Sequence, residues 1–185
     1  RYLAQSKNFD GTVQFIFQPA EEANATGSGA KAMIDDGLFE RFPVDTVFAM
    51  HNAPDLALGA VATSSGAITA SIDIFDVTIH GHGTHGAQPH TGIDPVVIAA
   101  HLVSAWQTIV SRTVNAQDCA VISATAINAG NSWNVIPDSA HIKGSVRTLS
   151  LEVREQVRDR FTTLTRQLAE SFGARAEIDY RSITP

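Results

Sequence analysis

A chain of 185 residues with 44% apolar content can bury one or two ordinary cores, and nothing in its composition suggests disorder or a fibrous repeat. Its formal net charge of -6, with the basic residues scattered, argues against a nucleic-acid partner. No apolar run reaches the roughly 20 residues of a membrane span, no signal-peptide pattern opens the chain, and a single cysteine cannot close an internal disulfide. A cytoplasmic protein without a membrane partner is expected, with Cys119 a small core residue in a strand.

Arg1 falls inside a helix-like stretch and Pro185 follows a strand-like run, so a segment of a longer protein is expected. Residues 1–70 alternate strand and helix signals: a β-type run over 12–17, a helix over 29–34 and a second β-type run over 46–50. That βαβ pattern predicts a mainly parallel sheet. Each strand runs directly into polar or ionisable groups, where open α/β sheets place their ligand crevices, which points to Glu21, Glu22 and His51.

From Ser71 longer alternating strands begin, with Phe75, Val77 and Ile79 opposite Asp76, Thr78 and His80. Asp94 before Pro95 is a helix entry, and Val96, Ala99, Val103, Trp106 and Val110 repeat at helical spacing, predicting a helix over 95–112. Antiparallel strands are expected over 121–129 and 140–148, the latter with Arg147 on its polar face. Ser150 then caps a long helix with a stripe of Val157, Phe161, Leu164, Leu168 and Phe172; Gly173 stops it, and a last strand covers 176–180. The order β-α-β-β-α-β predicts a ferredoxin-like α+β sandwich, a fold that by itself specifies no function.

Adjacent Glu21 and Glu22 cannot both point the same way in an extended segment. One can bind a metal while the other stays free as a base, a division suited to hydrolysis. His51 at a strand end is a further donor for a borderline metal, but a carboxylate and an imidazole fall short of the three protein ligands of a catalytic zinc-type site. The run from His80 to His90 invites a metal reading, yet no acidic or cysteine ligand accompanies it; its glycines suggest a loop holding His85 in a fixed, exposed pose. Asn134 reads as a turn residue, and Arg147 as a surface arginine or as a fork for a substrate carboxylate.

Four stretches in order, Gln18-Pro19-Ala20-Glu21-Glu22, His51-Asn52, the loop over 83–95, and Asn134-Val135-Ile136-Pro137 with Val146-Arg147-Thr148, resemble the peptidase M20 amidohydrolases. The similarity covers nearly the whole chain and points to the branch of hippurate hydrolases, N-acyl-amino-acid hydrolases and indole-acetyl-amino-acid hydrolases. The resemblance implies an α/β partial catalytic domain over 1–70, a ferredoxin-like lid and dimerisation domain over 71–182, and a return to the catalytic domain over 183–185. It implies that Glu21 is the general base, that Glu22 and His51 are metal ligands, and that His85 reaches substrate from the lid, across the subunit interface in dimeric members. Asn134 and Arg147 would contact substrate, an N-acyl amino acid. Two divalent ions (zinc, manganese, cobalt or nickel) and a homodimer through the lid follow as expectations. The family's upstream Cys-Gly-His-Asp motif and its last histidine ligand are not in these 185 residues. The 23–28 stretch is longer and less glycine-rich than the family's, and Thr84 stands where a second glycine is common. The competing reading is a non-catalytic dimerisation or interaction module.

Overall fold

The computed structural model describes residues 2–20 and 29–184, and the chain divides into two compact units, residues 1–51 and 52–185. The first unit holds three short helices, α1 (Tyr2–Ser6), α2 (Gly29–Asp35) and α3 (Leu38–Arg41). The runs 12–17 and 46–50 are not strands: among the described residues neither finds a ladder partner, and Phe17 and Phe48 stand 85% and 91% exposed. An apolar run becomes a strand only where a neighbour takes up its backbone N–H and C=O groups, so composition alone did not decide the matter.

In the second unit β1 (Ile72–His80), α4 (Pro95–Thr113), β3 (Ala120–Ala129), β5 (Ser139–Thr148), α5 (Leu151–Ser171) and β6 (Arg175–Thr184) realise the expected β-α-β-β-α-β order. The four strands form one antiparallel sheet in the order β3-β5-β1-β6, covered on one face by α4 and α5. A two-stranded ribbon, β2 (Thr84–His85) with β4 (Val135–Ile136), is an addition that the strand periodicity did not announce. Both long helices begin where the side-chain caps predict. Asp94 Oδ1 accepts the Val96 and Val97 N–H groups at 2.9 and 3.3 Å, and Ser150 Oγ accepts that of Val153 at 3.5 Å.

The helices are rotated relative to the expected stripes. On α4, Ile98, Leu102 and Ile109 join Ala99 and Trp106 in the core, while Val96 is exposed and Val103 and Val110 only partly covered. Its sequence is apolar on more than one side, so periodicity leaves the inward face under-determined. On α5, Val153, Thr165 and Ala169 replace Phe172, which is exposed, and Leu164 and Leu168 are half-buried. Thr165 is admitted because its hydroxyl is satisfied twice, donating to the Phe161 carbonyl at 2.6 Å and accepting the Trp106 indole N–H at 2.9 Å. Cys119 lies exposed just before β3, not in the core, because the strand starts one residue later with Ala120 as its first inward residue.

Phe75, Trp106 and Phe161 tie the sheet to both helices, with ring centroids 5.2 Å (Phe75–Trp106), 4.7 Å (Phe75–Phe161) and 4.6 Å (Trp106–Phe161) apart. Gly144 pairs with Phe75 across the β1–β5 ladder, and a Cβ there would lie 2.3 Å from the Phe75 ring, so the glycine makes room for it.

At the edge of this core lies a buried charge. Asp73 shares the inward register of β1 with Phe75 and is 1% exposed, while Arg154, in the first turn of α5, is 8% exposed. The guanidinium grips the carboxylate through Nε at 3.0 and 3.2 Å and Nη2 at 2.5 Å, and Nη2 also donates to the Thr184 carbonyl at 2.7 Å. Tyr180 Oη donates to Asp73 Oδ2 at 2.9 Å. Hydrogen bonding to Asp73 outweighs burial and raises the Arg154 pKa, and burial followed by the Asp73 charge raises that of the Tyr180 phenol well above its usual range.

Removing Asp73 leaves a buried, unpaired arginine. Asp73→Ala should cost about 3–5 kcal/mol in urea unfolding, whereas Asp76→Ala, which breaks an exposed pair with Lys143 at 3.2 Å, should stay within about 1 kcal/mol; equal effects would refute the distinction. Because the Tyr180 pKa is higher folded than unfolded, its contribution is complete below about pH 10 and is lost as pH rises beyond it. Tyr180→Phe should cost about 0.5–1.5 kcal/mol at neutral pH, and parallel unfolding curves should show the gap to the parent narrowing above about pH 10.

Candidate functional site

The residues expected to do chemistry fall in different places. Glu21 and Glu22 lie outside the described residues. His51 is exposed at the end of the first unit, in a segment without regular structure. Its imidazole and the Glu22 carboxylate are donor types that suit a borderline divalent ion. Among the described residues, however, no three histidine, cysteine, aspartate or glutamate side chains converge as a metal site. The described donors therefore do not make a complete centre, and no catalytic step is derived through one.

The histidine loop of the second unit is better defined. His85 pairs with Val135 across the β2–β4 ribbon, and the Gly86 N–H donates to the Asn134 carbonyl at 2.7 Å, which puts His85 and Asn134 on adjacent rungs at the ribbon tip. The loop carrying them is pinned along its length. The Gly81 N–H donates to the Asp138 carbonyl and the Gly83 N–H to the Asp138 carboxylate, both at 2.8 Å. His82 and Ile93 exchange two backbone bonds of 2.9 Å. The Thr84 and Thr91 hydroxyls meet at 2.6 Å, and that of Thr91 donates to the Gln88 carbonyl at 2.9 Å. His85 is exposed, and its own ring joins the network: Nδ1 accepts the Ala87 N–H at 3.1 Å. The fixed, exposed pose expected from the glycines is what the chain builds.

Asn134 is likewise held, its Oδ1 accepting the Ser132 hydroxyl at 3.0 Å. Beside it Trp133 is fully exposed and helps line an open hollow of about 320 Å³ with Val96, Ala129 and Pro137. Arg147 is not part of this cluster. It lies on the exposed face near the far end of β5, eight residues beyond Ser139, or about 27 Å at the usual rise per residue.

Sequence reasoning missed Asp138, whose carbonyl and carboxylate both hold the loop. An aspartate directly after Ile136-Pro137 in a turn was the available signal, since such side chains commonly bind backbone N–H groups nearby.

Residues 65–172 match the M20 peptidase dimerisation domain family. The chain is 44% identical over 175 residues to the N-acetyl-L-cysteine deacetylase of Bacillus subtilis, covering 95% of this chain and 41% of that protein. It is 41% identical over 185 residues to the hippurate hydrolase of Campylobacter jejuni, covering 100% of this chain and 47% of that protein. A solved Bacillus subtilis structure described as a dinuclear metal-binding peptidase of the M20 family superposes with a TM-score of 0.75 at 36% identity, over 100% of this chain and 45% of that one. The chain thus spans less than half the length of these relatives.

Gly92 tests the rigidity of the loop, because a Cβ there would sit 2.4 Å from the His82 carbonyl oxygen and 2.8 Å from the Thr84 methyl. Gly92→Ala should cost about 1–3 kcal/mol and accelerate hydrogen exchange at the Gly86 and Gln88 amides; unchanged protection would show that the loop tolerates the displacement. With its fold, its pinned histidine loop and these relatives in view, the chain belongs to the peptidase M20 family, residues 65–172 forming its dimerisation domain.

Proposed function

We propose that the complete protein is a metal-dependent amidohydrolase that cleaves N-acyl or N-aroyl amino acids. The observation that carries this reading is the pinned, exposed display of His85 on a dimerisation domain of the M20 family. Relatives named as deacetylases and as a hippurate hydrolase support the substrate class. Residues 1–70 would belong to the catalytic domain, 71–182 to the lid, and 183–185 to the return.

In this reading Glu21 takes a proton from the attacking water as its oxygen bonds to the amide carbon. The same carboxyl then delivers the proton to the amine as the C–N bond breaks, leaving a carboxylate and a free amino acid. Glu22 and His51 would hold divalent metal, whose chemistry is to lower the pKa of water and polarise the carbonyl; zinc, manganese, cobalt and nickel all suit carboxylate and imidazole. His85 would meet the carbonyl oxygen as negative charge develops there, and Asn134 would contact the substrate alongside it. Arg147 remains a candidate clamp for a carboxylate on a different part of the lid.

The lid also favours a second copy of the chain as partner. Edge strand β3 and the outer face of α4, with Val97, Ala100, Ser104, Thr108 and Ser111 exposed, carry almost no charge. The other edge is guarded by Arg175, Glu177, Asp179 and Arg181 on β6, and by the charged outer face of α5. An uncharged sheet edge invites pairing unless something covers it, and a two-fold copy of the same edge would do so.

In the complete protein Glu21→Gln should abolish turnover, by 100-fold or more for loss of a general base, typically about 10²–10⁴, while bound metal stays near normal; unchanged activity would reject the role. Mixing His85→Ala with Glu21→Gln subunits should restore part of the activity if His85 serves the partner's site, and no recovery in demonstrably mixed dimers would place it in its own.

A further inference from the structure

The His85 ring has a property that neither motif nor family assignment states: its Nδ1 acceptor is already used inside the chain. The Ala87 N–H occupies the Nδ1 lone pair of His85 at 3.1 Å. A backbone N–H can only donate, so Nδ1 carries no proton, and a neutral imidazole with a bare Nδ1 has its hydrogen on Nε2. The Ser132 hydroxyl takes one of the two lone pairs of Asn134 Oδ1 at 3.0 Å, so that side chain keeps both donor and acceptor capacity.

We propose that the loop makes His85 a fixed donor: it holds the ring as the neutral Nε2–H tautomer, Asp138 is the residue that positions it, and the ligand it fits is an oxygen carrying negative charge. Asp138 qualifies because its carboxylate holds the Gly83 N–H two residues before His85, while its carbonyl holds Gly81 and its chain continues into β5. Without its carboxylate the Gly83 N–H loses its partner midway between the His82–Ile93 bonds and the two-residue ribbon pairing, and the frame of the Ala87-to-ring contact loosens. A donor fixed in advance needs no reorganisation when charge develops on an oxygen, whereas a histidine free to exchange tautomers presents a lone pair part of the time. The inference rests on the proposed role of His85 for its biological meaning, but the tautomer is a property of the chain itself.

The test is long-range ¹H–¹⁵N correlation spectroscopy of the histidine rings in the ¹⁵N-labelled 185-residue protein, with the His85 signals assigned by their loss in His85→Gln. His85 should show a protonated Nε2 and a bare Nδ1 as a single tautomer at neutral pH. Asp138→Ala should bring the second tautomer to a comparable population, and Asp138→Asn, which keeps an acceptor oxygen for Gly83, should restore the single one. A dominant Nδ1–H form in the parent protein would overturn the proposal whatever the variants do. A single tautomer that survives Asp138→Ala would remove Asp138 from it. Activity plays no part in this readout. The Nε2–H tautomer together with a complete protein that releases no amino acid from N-acyl substrates would sink the amidohydrolase reading and leave the fixed His85 donor standing.

Discussion

The dimerisation domain is organised around one buried ion pair, Asp73 with Arg154, sealed by the Tyr180 hydroxyl. Asp73 sits on a central strand, Arg154 opens the helix that covers it, and Tyr180 and the Thr184 carbonyl belong to the neighbouring edge strand. A charge in that position is costly unless its partner is also buried and its lone pairs are filled, and here three groups fill them. The pair thus links β1, α5 and β6, and a shift in the position of α5 would leave a buried carboxylate unmatched. The aromatic group of Phe75, Trp106 and Phe161 adds burial to an arrangement whose geometry the ion pair restricts.

Function depends on what that frame holds at its other end. β1 leaves the sheet at His80 and β5 enters it at Ser139, so the loop after one strand and the ribbon before the other emerge together. Asp138 sits at that junction and ties the two. The dimerisation domain therefore buries a matched charge pair at one end of the sheet, and at the other it displays the His85 ring with its Nδ1 already engaged. In the proposed amidohydrolase such a display would meet an amide oxygen that becomes negative during hydrolysis.

Much of this was legible in the residues because it is local. Asp94 before Pro95, Ser150 before Leu151 and the positive φ of Gly173 act within one turn, and they place both long helices to within a residue or two. The histidine loop was legible for the same reason. The inward faces of α4 and α5 were less so, since α4 is apolar on several sides and α5 buries a threonine that only the Trp106 indole makes acceptable. Asp73 carried a signal that went unread: a charge in the same alternation as Phe75, Val77 and Ile79 requires a buried partner. The expected strands over 12–17 and 46–50 depend on neighbours far away in sequence, and no local pattern supplies those.

The central claim is that this domain works as half of a pair, its sparsely charged β3 and α4 side closed by a second copy. Sedimentation equilibrium of the complete protein, at concentrations where it hydrolyses an N-acyl amino acid, measures this directly. The account predicts the mass of two chains; full activity at the mass of one would contradict it.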